Sequence, residues 1–257
     1  MDPIGKGTYG ESKLGQWRRH EGNILIKKLV PDAPGSDLQS ENEHFREECK
    51  RLHKLSNPCL VRLLGASVID QDKLVFWEYF EEATTLQKYI KEKSPLQGKT
   101  ILKFATSISI ALGYLHQERI IHGALKSKNI MIANNEVKIT DYGFMDWKDT
   151  VPLEEANPEY LAPELFDGDE YSEKIDIYSF AMVLYELVSA KLPFQGVAPN
   201  EVANYVMKKL RPNLPPGTPQ AFSQLVQKCW AVDPFARPSF NNIKAILEAQ
   251  PSCLPET

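Results

Sequence analysis

Three side chains that could serve a phosphate or metal site stand close together in the sequence. The segment HGALKSKN, residues 122–129, carries Lys126 and Asn129, and TDYG at 140–143 supplies Asp141. Asn and Asp offer hard oxygen ligands of the kind that Mg²⁺ takes alongside phosphates. The middle of the first segment holds Ala124, whose methyl group can neither accept nor donate a proton.

A glycine-rich segment lies at the beginning of the chain. GKGTYG matches G-x-G-x-x-G at Gly5, Gly7 and Gly10. A dinucleotide site needs a strand before this motif and a helix after it, but only four residues precede Gly5 and the following residues read as a strand. We therefore expect a glycine hairpin between two strands, with a backbone that can approach phosphates, and not a dinucleotide-dependent oxidoreductase.

The lysine that ends the apolar run ILIK has two interpretations. Lys27 is either a solvated strand end or a cation that points into a cleft, and a buried ammonium needs a carboxylate partner. Glu48, on the polar side of a helical pattern at 41–55, is a candidate partner.

The elements that would position these residues form two groups with different periods. Strand-like runs occupy 13–19, 23–29 and 73–80, and the helical pattern at 41–55 interrupts them. From about residue 83 the period is helical, except for a hairpin at 130–140 around Asn134-Asn135. The helical patterns are at 101–116, 174–190, 199–209, 219–231 and 240–250. This order predicts an α+β, bilobal fold: a β-rich N-lobe (1–77), a hinge (78–82) and a mainly helical C-lobe (83–257), with a ligand cleft between the lobes.

Composition narrows the class of protein. The net charge is −4, which gives no basic footprint for nucleic acid. No apolar run approaches the length of a membrane span, and the N-terminus has no apolar signal core. The four cysteines lack metal-site spacing and are expected to be reduced thiols. These features predict a cytoplasmic protein.

Six motifs in order resemble the eukaryotic protein kinase domain over the whole chain. GKGTYG looks like the glycine-rich loop, ILIK like the third-strand lysine motif, and HGALKSKN like the catalytic loop H-R-D-L-x-x-x-N. DYG looks like D-F-G, APE at 162–164 matches A-P-E, and CWAVDPFARPSF resembles the closing arginine segment. The last segment and DIYSFAMVLYELVSAKLPFQG resemble the tyrosine-kinase-like group of serine/threonine kinases.

The resemblance implies a role for each matching position. The three glycines would cover the phosphates of ATP, Lys27 would bind them and pair with Glu48, and Asn129 with Asp141 would hold Mg²⁺. Lys126 would steady the γ-phosphate, as in serine/threonine kinases. The adenine site would include Ser12, Leu25, a gatekeeper at Trp77, backbone groups of Glu78 and Phe80, and Met131. Glu164 and Arg237 would form a structural ion pair, and Asp176 would brace the catalytic loop.

The sequence departs from the kinase pattern at the position of the catalytic base. That aspartate is replaced by Ala124, and general-base catalysis typically contributes ~10²–10⁴ in rate. Ser12, Leu25 and Trp77 also differ from the usual adenine-site residues. The chain is therefore expected to be a pseudokinase that retains some Mg-ATP binding and acts as a signalling scaffold or switch for a protein partner. The alternative is an active serine/threonine kinase that carries an Asp-to-Ala change at 124.

Overall fold

The two expected lobes are present in the computed structural model, which describes residues 3–7, 10–18, 20–29, 37–143, 157–168 and 172–249. The N-lobe is an antiparallel five-stranded sheet in the order β1-β2-β3-β5-β4. Its strands are β1 Pro3–Gly7, β2 Gly10–Gln16, β3 Asn23–Leu29, β4 Leu63–Ile69 and β5 Asp72–Glu78, and helix α1 spans Leu38–His53. The fold is α+β and bilobal.

The C-lobe is mainly helical and carries a small second sheet. Its helices are α2 Leu86–Lys93, α3 Gly98–Gln117, α4 Pro163–Asp167, α5 Lys174–Ser189, α6 Pro199–Met207, α7 Gln220–Cys229 and α8 Phe240–Ala249. The small sheet joins β6 Thr84–Thr85, β7 Ile130–Ala133 and β8 Glu136–Ile139. Every residue of α5 from 175 to 187 is buried, as its nearly all-round apolar pattern predicts.

The hairpin expected at 130–140 is confirmed, and its turn explains why asparagine stands there. Asn134 and Asn135 join β7 to β8 with φ of 50° and 62°. Asparagine tolerates this left-handed region better than most residues. The turn places Asn129 at one end of the hairpin and Asp141 just beyond the other.

Several boundaries expected from the sequence are wrong. The strand expected at 13–19 starts at Gly10 and ends at Gln16, and α1 begins at Leu38, one turn before the expected start. The earlier start follows from Asp37, whose side chain accepts a hydrogen bond from the Gln39 N–H at 3.1 Å and caps the helix. The elements that had no sequence prediction include β4, interrupted by Gly65, Ala66 and Ser67, and the eight-residue α2.

The cysteines in the described part of the chain, Cys49, Cys59 and Cys229, are free thiols. Cys253 lies outside the described residues. Among the described helices, none combines the length and apolar character that crossing a membrane requires.

Candidate functional site

The glycine-rich segment forms the hairpin between β1 and β2. Gly7 pairs with Gly10 across the two strands, and no helix follows them. Gly10 has φ of 138°, and a Cβ atom there would overlap the Lys28 carbonyl oxygen. Only glycine fits this position. The expected hairpin between two strands is therefore confirmed. A dinucleotide site would instead need a helix directly after the glycine-rich segment.

Lys27 shares one face of the N-lobe sheet with Ser12, Leu25 and Trp77, the three unusual candidates for an adenine site. Ser12 lies directly opposite Lys27 on β2, and Leu25 lies opposite Trp77 on β5. Residues directly opposite each other on antiparallel strands, and residues two apart along a strand, point to the same side. The substitutions expected to alter an adenine site therefore flank the lysine expected to bind phosphate.

Lys27 is buried, which excludes the solvated strand end. It is 2% exposed, and its Nζ lies 2.8 Å from Asp141 Oδ2. The two lobes therefore meet through an ion pair at this point. Lys27 and Asp141, far apart in sequence, converge on one cleft.

The ion pair that we expected between Lys27 and Glu48 is wrong, because each side chain has another partner. The Glu48 carboxylate faces Arg51 on its own helix, with Oε2 3.3 Å from Nη2. This oxygen is buried and makes no hydrogen bond within the described part of the chain. Arg51 stands one turn after Glu48 on α1, so the i,i+3 neighbour competes with Lys27 for the carboxylate.

Asn129 and Asp141 carry side-chain oxygen atoms of the kind that bind a magnesium ion. The Asn129 Nδ2 donates to the Ala124 carbonyl oxygen at 2.8 Å. Since a carbonyl can only accept, this bond leaves the amide oxygen of Asn129 for a ligand. No group of three or more His, Cys, Asp or Glu side chains in the described ranges could hold a metal. A magnesium ion bound by these two residues would therefore take further oxygen ligands from nucleotide phosphates and water.

The loop before Asn129 is held by a buried aspartate on α5. Asp176 accepts hydrogen bonds from the backbone N–H groups of His122 at 2.8 Å and Gly123 at 2.9 Å, and from His116 Nε2 at 2.8 Å. Burial would raise the pKa of Asp176, but its interactions with His116, His122 and the Gly123 N–H together outweigh burial, and the pKa is lowered. Burial lowers the pKa of His122, which favours the neutral imidazole. The brace expected of Asp176 is present.

Ala124 sits inside this ordered loop. Its N–H donates to His122 Nδ1 at 3.3 Å, and its carbonyl accepts from Asn129. Both backbone groups are thus fixed, and the methyl group is partly buried against the core. Position 124 offers a fixed backbone with no group that could take a proton.

Lys126 points toward the segment that precedes α4. Its Nζ donates to Asn157 Oδ1 at 2.6 Å. Burial lowers the pKa of this ammonium to about 8, although the nearby Asp141 charge opposes that shift. The Lys126 charge therefore lies near the Lys27–Asp141 pair.

Trp77 packs in the core next to the sheet face that carries Lys27. It is fully buried, and its ring meets Tyr142 edge to face with the centroids 5.3 Å apart. The Tyr142 hydroxyl donates to the Val61 carbonyl oxygen at 2.6 Å, which fixes this contact. The bulk expected of the gatekeeper is present.

The remaining adenine-site candidates line the junction between the lobes. Glu78 ends β5 and donates its backbone N–H to the Arg62 carbonyl oxygen at 2.9 Å. Phe80 follows in the connector, where the Lys138 ammonium lies 5.1 Å from its ring centroid. Met131 pairs with Lys138 across the β7–β8 hairpin. Phe80 and Met131 therefore lie next to the same residue, Lys138.

Sequence reasoning missed a buried network next to the catalytic-loop segment. Glu186 on α5 accepts hydrogen bonds from Ser127 Oγ and from the Tyr160 hydroxyl, both at 2.6 Å. An acid inside the apolar run of α5 was the available signal, since buried carboxylates are rare without partners. The partners of Glu48 and Lys126, which are Arg51 and Asn157, were also missed.

The ion pair expected between Glu164 and Arg237 is present and buried. The guanidinium binds the carboxylate through two hydrogen bonds of 2.7 and 2.8 Å. It ties α4 to the segment before α8 at a distance from the cleft.

Comparison with known proteins agrees with this geometry. The family model for protein tyrosine and serine/threonine kinases matches residues 1–247. Similar proteins include the serine/threonine-protein kinase VIK of Arabidopsis thaliana, 34% identical over 98% of this chain and 60% of its own length. The serine/threonine/tyrosine-protein kinase HT1 of the same plant is 35% identical over 91% of this chain and 62% of its own length. The dual specificity protein kinase pyk3 of Dictyostelium discoideum is 31% identical over 98% of this chain and 18% of its own length.

The chain thus spans less than two thirds of the length of each of these relatives. The match covers both lobes, the glycine hairpin, Lys27 and the loop around Ala124. The chain belongs to the protein tyrosine and serine/threonine kinase family.

Proposed function

We propose that this chain is a pseudokinase: it binds Mg-ATP but does not transfer the phosphate productively, and it acts as a signalling scaffold or switch for a protein partner. The observation that carries this proposal is the methyl group of Ala124 inside an otherwise ordered loop. Asp176 holds one side of the loop and Asn129 the other. When bound, the magnesium ion would neutralise phosphate charge. Asn129 and Asp141 would hold it, and Lys27 would meet the phosphates.

The nucleotide site is also altered on its adenine side. Leu25 lies between Leu14 and Trp77 in the sheet register, so three large side chains stand in a row on the face that would cover adenine. Added bulk in a packed site costs ~1–3 kcal/mol unless neighbours move. We therefore expect ATP to bind more weakly than in a site without these substitutions. The loss of phosphotransfer would then have a second cause besides the missing catalytic base at position 124.

The small lobe supplies the surface that a partner would use. Helix α1 exposes a charged side that includes Glu43, Arg46 and Glu47, and its inner side carries Glu48. A partner that moves α1 would also move Glu48 relative to Lys27. Nucleotide binding and partner binding would then be coupled through one helix.

A second candidate function is a serine/threonine kinase inactivated by an Asp-to-Ala change at 124. The intact bracing of the loop by Asp176 favours it, because a carboxylate at 124 would be held in place. The two candidates differ in their response to Ala124→Asp. Restoring a general base should raise the phosphotransfer rate by ~10²–10⁴ in the second case.

The first prediction concerns nucleotide binding and its consequence for phosphotransfer. Saturating Mg-ATP is expected to raise the melting temperature of the wild-type chain, because a ligand at 100 times its Kd stabilises by ~2.7 kcal/mol. Lys27→Met should abolish this increase. The Ala124→Asp variant should keep the increase without phosphorylating a generic protein substrate, since Leu25 and Trp77 are unchanged.

The outcomes separate the two candidates. Substantial substrate phosphorylation by Ala124→Asp would contradict the pseudokinase and support the inactivated kinase. A flat thermal response to Mg-ATP in the wild-type chain would contradict nucleotide binding in both. Lys28→Met is the matched control, because Lys28 is the exposed neighbour of Lys27 and pairs with Asp72 on the sheet surface.

The second prediction concerns the residue that holds Glu48. Replacing Arg51 by Met removes the guanidinium at 3.3 Å and leaves Glu48 to pair with Lys27. We expect Mg-ATP to bind about fivefold more tightly, or ~1 kcal/mol, the upper end for a partly exposed ion pair. Calorimetric titration of the wild type and the variant measures the change.

The control for this effect lies on the same helix. Arg46→Met removes an exposed arginine from α1 and should leave the affinity unchanged. The double variant Arg51→Met/Glu48→Gln should lose the gain, because the carboxylate that Lys27 would take is then absent. Equal affinities for Arg51→Met and Arg46→Met would show that Arg51 does not restrain Glu48.

A further inference from the structure

A cavity on the back of the N-lobe is lined by basic side chains from separate parts of the chain. It has a volume of about 530 Å³, within the range of small-molecule sites. Its lining includes four basic residues, His20, His53, Lys54 and Arg62, together with Trp17 and Ser56. We name it the rear basic cavity.

The charge of this cavity is opposite to that of the chain. The lining residues that the structure describes include two fixed cations, two histidines and no carboxylate, while the whole chain has a net charge of −4. Within the described residues, neither Lys54 nor Arg62 has a carboxylate at ion-pair distance. Glu47 is paired with Lys50 at 2.7 Å, and this hydrogen bond, with a smaller contribution from the Lys54 charge, lowers the pKa of its carboxyl.

The partial charge at the end of helix α1 explains only two of the four basic residues in the rear basic cavity. Cations near the end of α1 compensate the partial negative charge of its last carbonyl groups, and that explains His53 and Lys54. His20 follows β2, and Arg62 directly precedes β4. Their position at the same cavity brings four basic groups together from three parts of the N-lobe.

The cavity also has donors and an apolar wall. His53 Nδ1 donates to the Leu63 carbonyl oxygen at 2.8 Å, since that oxygen can only accept, so Nε2 is the ring nitrogen left for a ligand, and it donates to an anion when the ring is protonated. The Ser56 hydroxyl lines the cavity too, and the Trp17 ring, with Leu55 and Leu64, gives it apolar surface. A ligand that suits this lining carries an anionic head and an apolar or aromatic body.

The rear basic cavity is separate from the nucleotide cleft. Trp17 packs on Phe76, with ring centroids 5.9 Å apart. Phe76 is adjacent to Trp77 and Val75 on β5, so its side chain points to the opposite face of the sheet. Lys27 lies on the face of Val75 and Trp77. A ligand in the rear basic cavity would therefore not compete directly with ATP.

We infer that the rear basic cavity is a binding site for an aryl phosphomonoester. A phosphomonoester carries about −1.5 to −2 charges at neutral pH and three acceptor oxygens, which suits the cations of Lys54 and Arg62 and the protonated rings of the histidines. An aryl body suits Trp17. This chemistry occurs both in free aryl phosphates and in phosphotyrosine side chains of proteins. The inference does not depend on the proposed function.

The test uses histidine NMR on the whole chain, because the chain has five histidines and only His20 and His53 line this cavity. Titration with phenyl phosphate should shift the imidazole signals of His20 and His53, because both rings lie next to the bound anion, with a Kd below about 1 mM. Inorganic phosphate should bind at least about fivefold more weakly, since it lacks the aryl body. Shifts at His116 or His122 alone would place the ligand elsewhere and overturn the inference.

Variants on exposed side chains make the test specific. Lys54→Gln/Arg62→Gln should weaken phenyl phosphate at least about tenfold, because charge-assisted hydrogen bonds are lost. Lys91→Gln, an exposed lysine on α2, is the control and should leave binding unchanged. Equal loss in both variants, or equal affinity for phenyl and inorganic phosphate, would overturn the assignment.

A third comparison identifies the source of the ligand. A peptide that contains phosphotyrosine is titrated beside its unphosphorylated form and beside phenyl phosphate. Binding of the phosphopeptide at least about tenfold tighter than phenyl phosphate assigns the site to a phosphorylated protein segment, and equal affinity assigns it to a free aryl phosphate. Binding of the unphosphorylated peptide with the same affinity would overturn the inference.

Discussion

Replacing Arg237 by Met is expected to destabilise the protein by ~3–5 kcal/mol, because it leaves the Glu164 carboxylate buried without its partner. The Arg237 side chain is fully buried, and besides Glu164 it donates to the carbonyl oxygens of Ala231, Lys174 and Val232. Its guanidinium also lies 5.3 Å from the Tyr178 ring centroid. Urea unfolding at pH 7 measures the free-energy loss directly.

The control for this variant breaks an exposed ion pair in the same lobe. Lys244 lies 3.7 Å from Glu248 on α8, and both side chains are about half exposed. Surface pairs of this kind contribute ~0–1 kcal/mol, so Lys244→Met should unfold nearly like the wild type. The double variant Arg237→Met/Glu164→Gln should recover part of the loss, because no buried charge then remains. A similar loss for Arg237→Met and Lys244→Met would show that the buried pair carries no special stability.

The family and the overall fold were predictable because motif order and hydrophobic period are properties of local sequence. The all-round apolar run of α5 and the Asn134-Asn135 turn appeared where expected. Element ends were less predictable, since a cap such as Asp37 adds a turn that the apolar pattern does not contain. Strand β4 escaped prediction because Gly65, Ala66 and Ser67 interrupt its alternation.

The pairing of charges in the site was harder to predict than the residues themselves. Lys27, Asp141, Asn129 and Asp176 were identified from their types and motif positions. Sequence position does not decide which carboxylate a cation takes, because that depends on helix rotation and on competing neighbours. Arg51 lies one turn from Glu48 and competes for its carboxylate, which leaves Lys27 to pair with Asp141.

The second large effect is a pH dependence that arises from Glu186. This carboxyl is 2% exposed, and burial raises its pKa to about 7, against an ordinary value of 4.5. The difference corresponds to roughly 3 kcal/mol. Because the pKa is higher in the folded state than in the unfolded state, protonation of Glu186 stabilises the fold. This contribution to the free energy of unfolding is fully present below pH 4.5 and is lost as the pH rises through 7.

The network around Glu186 explains why the protonated acid is acceptable in this place. Ser127 and the Tyr160 hydroxyl both donate to the carboxyl, and they lie 3.3 Å from each other. Either hydroxyl can rotate to accept the proton of a neutral Glu186. Deprotonation at higher pH places a charge in a buried site, where the hydrogen bonds from Ser127 and Tyr160 offset only part of the cost of burial.

Glu186→Gln is expected to remove this pH dependence, because the amide is neutral at every pH of interest. Thermal or urea unfolding of both proteins from pH 4 to pH 8 should show the wild type losing roughly 3 kcal/mol relative to the variant. The difference between the two proteins cancels the titration of other groups such as His122. Glu248→Gln, on the exposed side of α8, should parallel the wild type. Parallel curves for Glu186→Gln and the wild type would mean that the buried carboxyl titrates near its ordinary pKa.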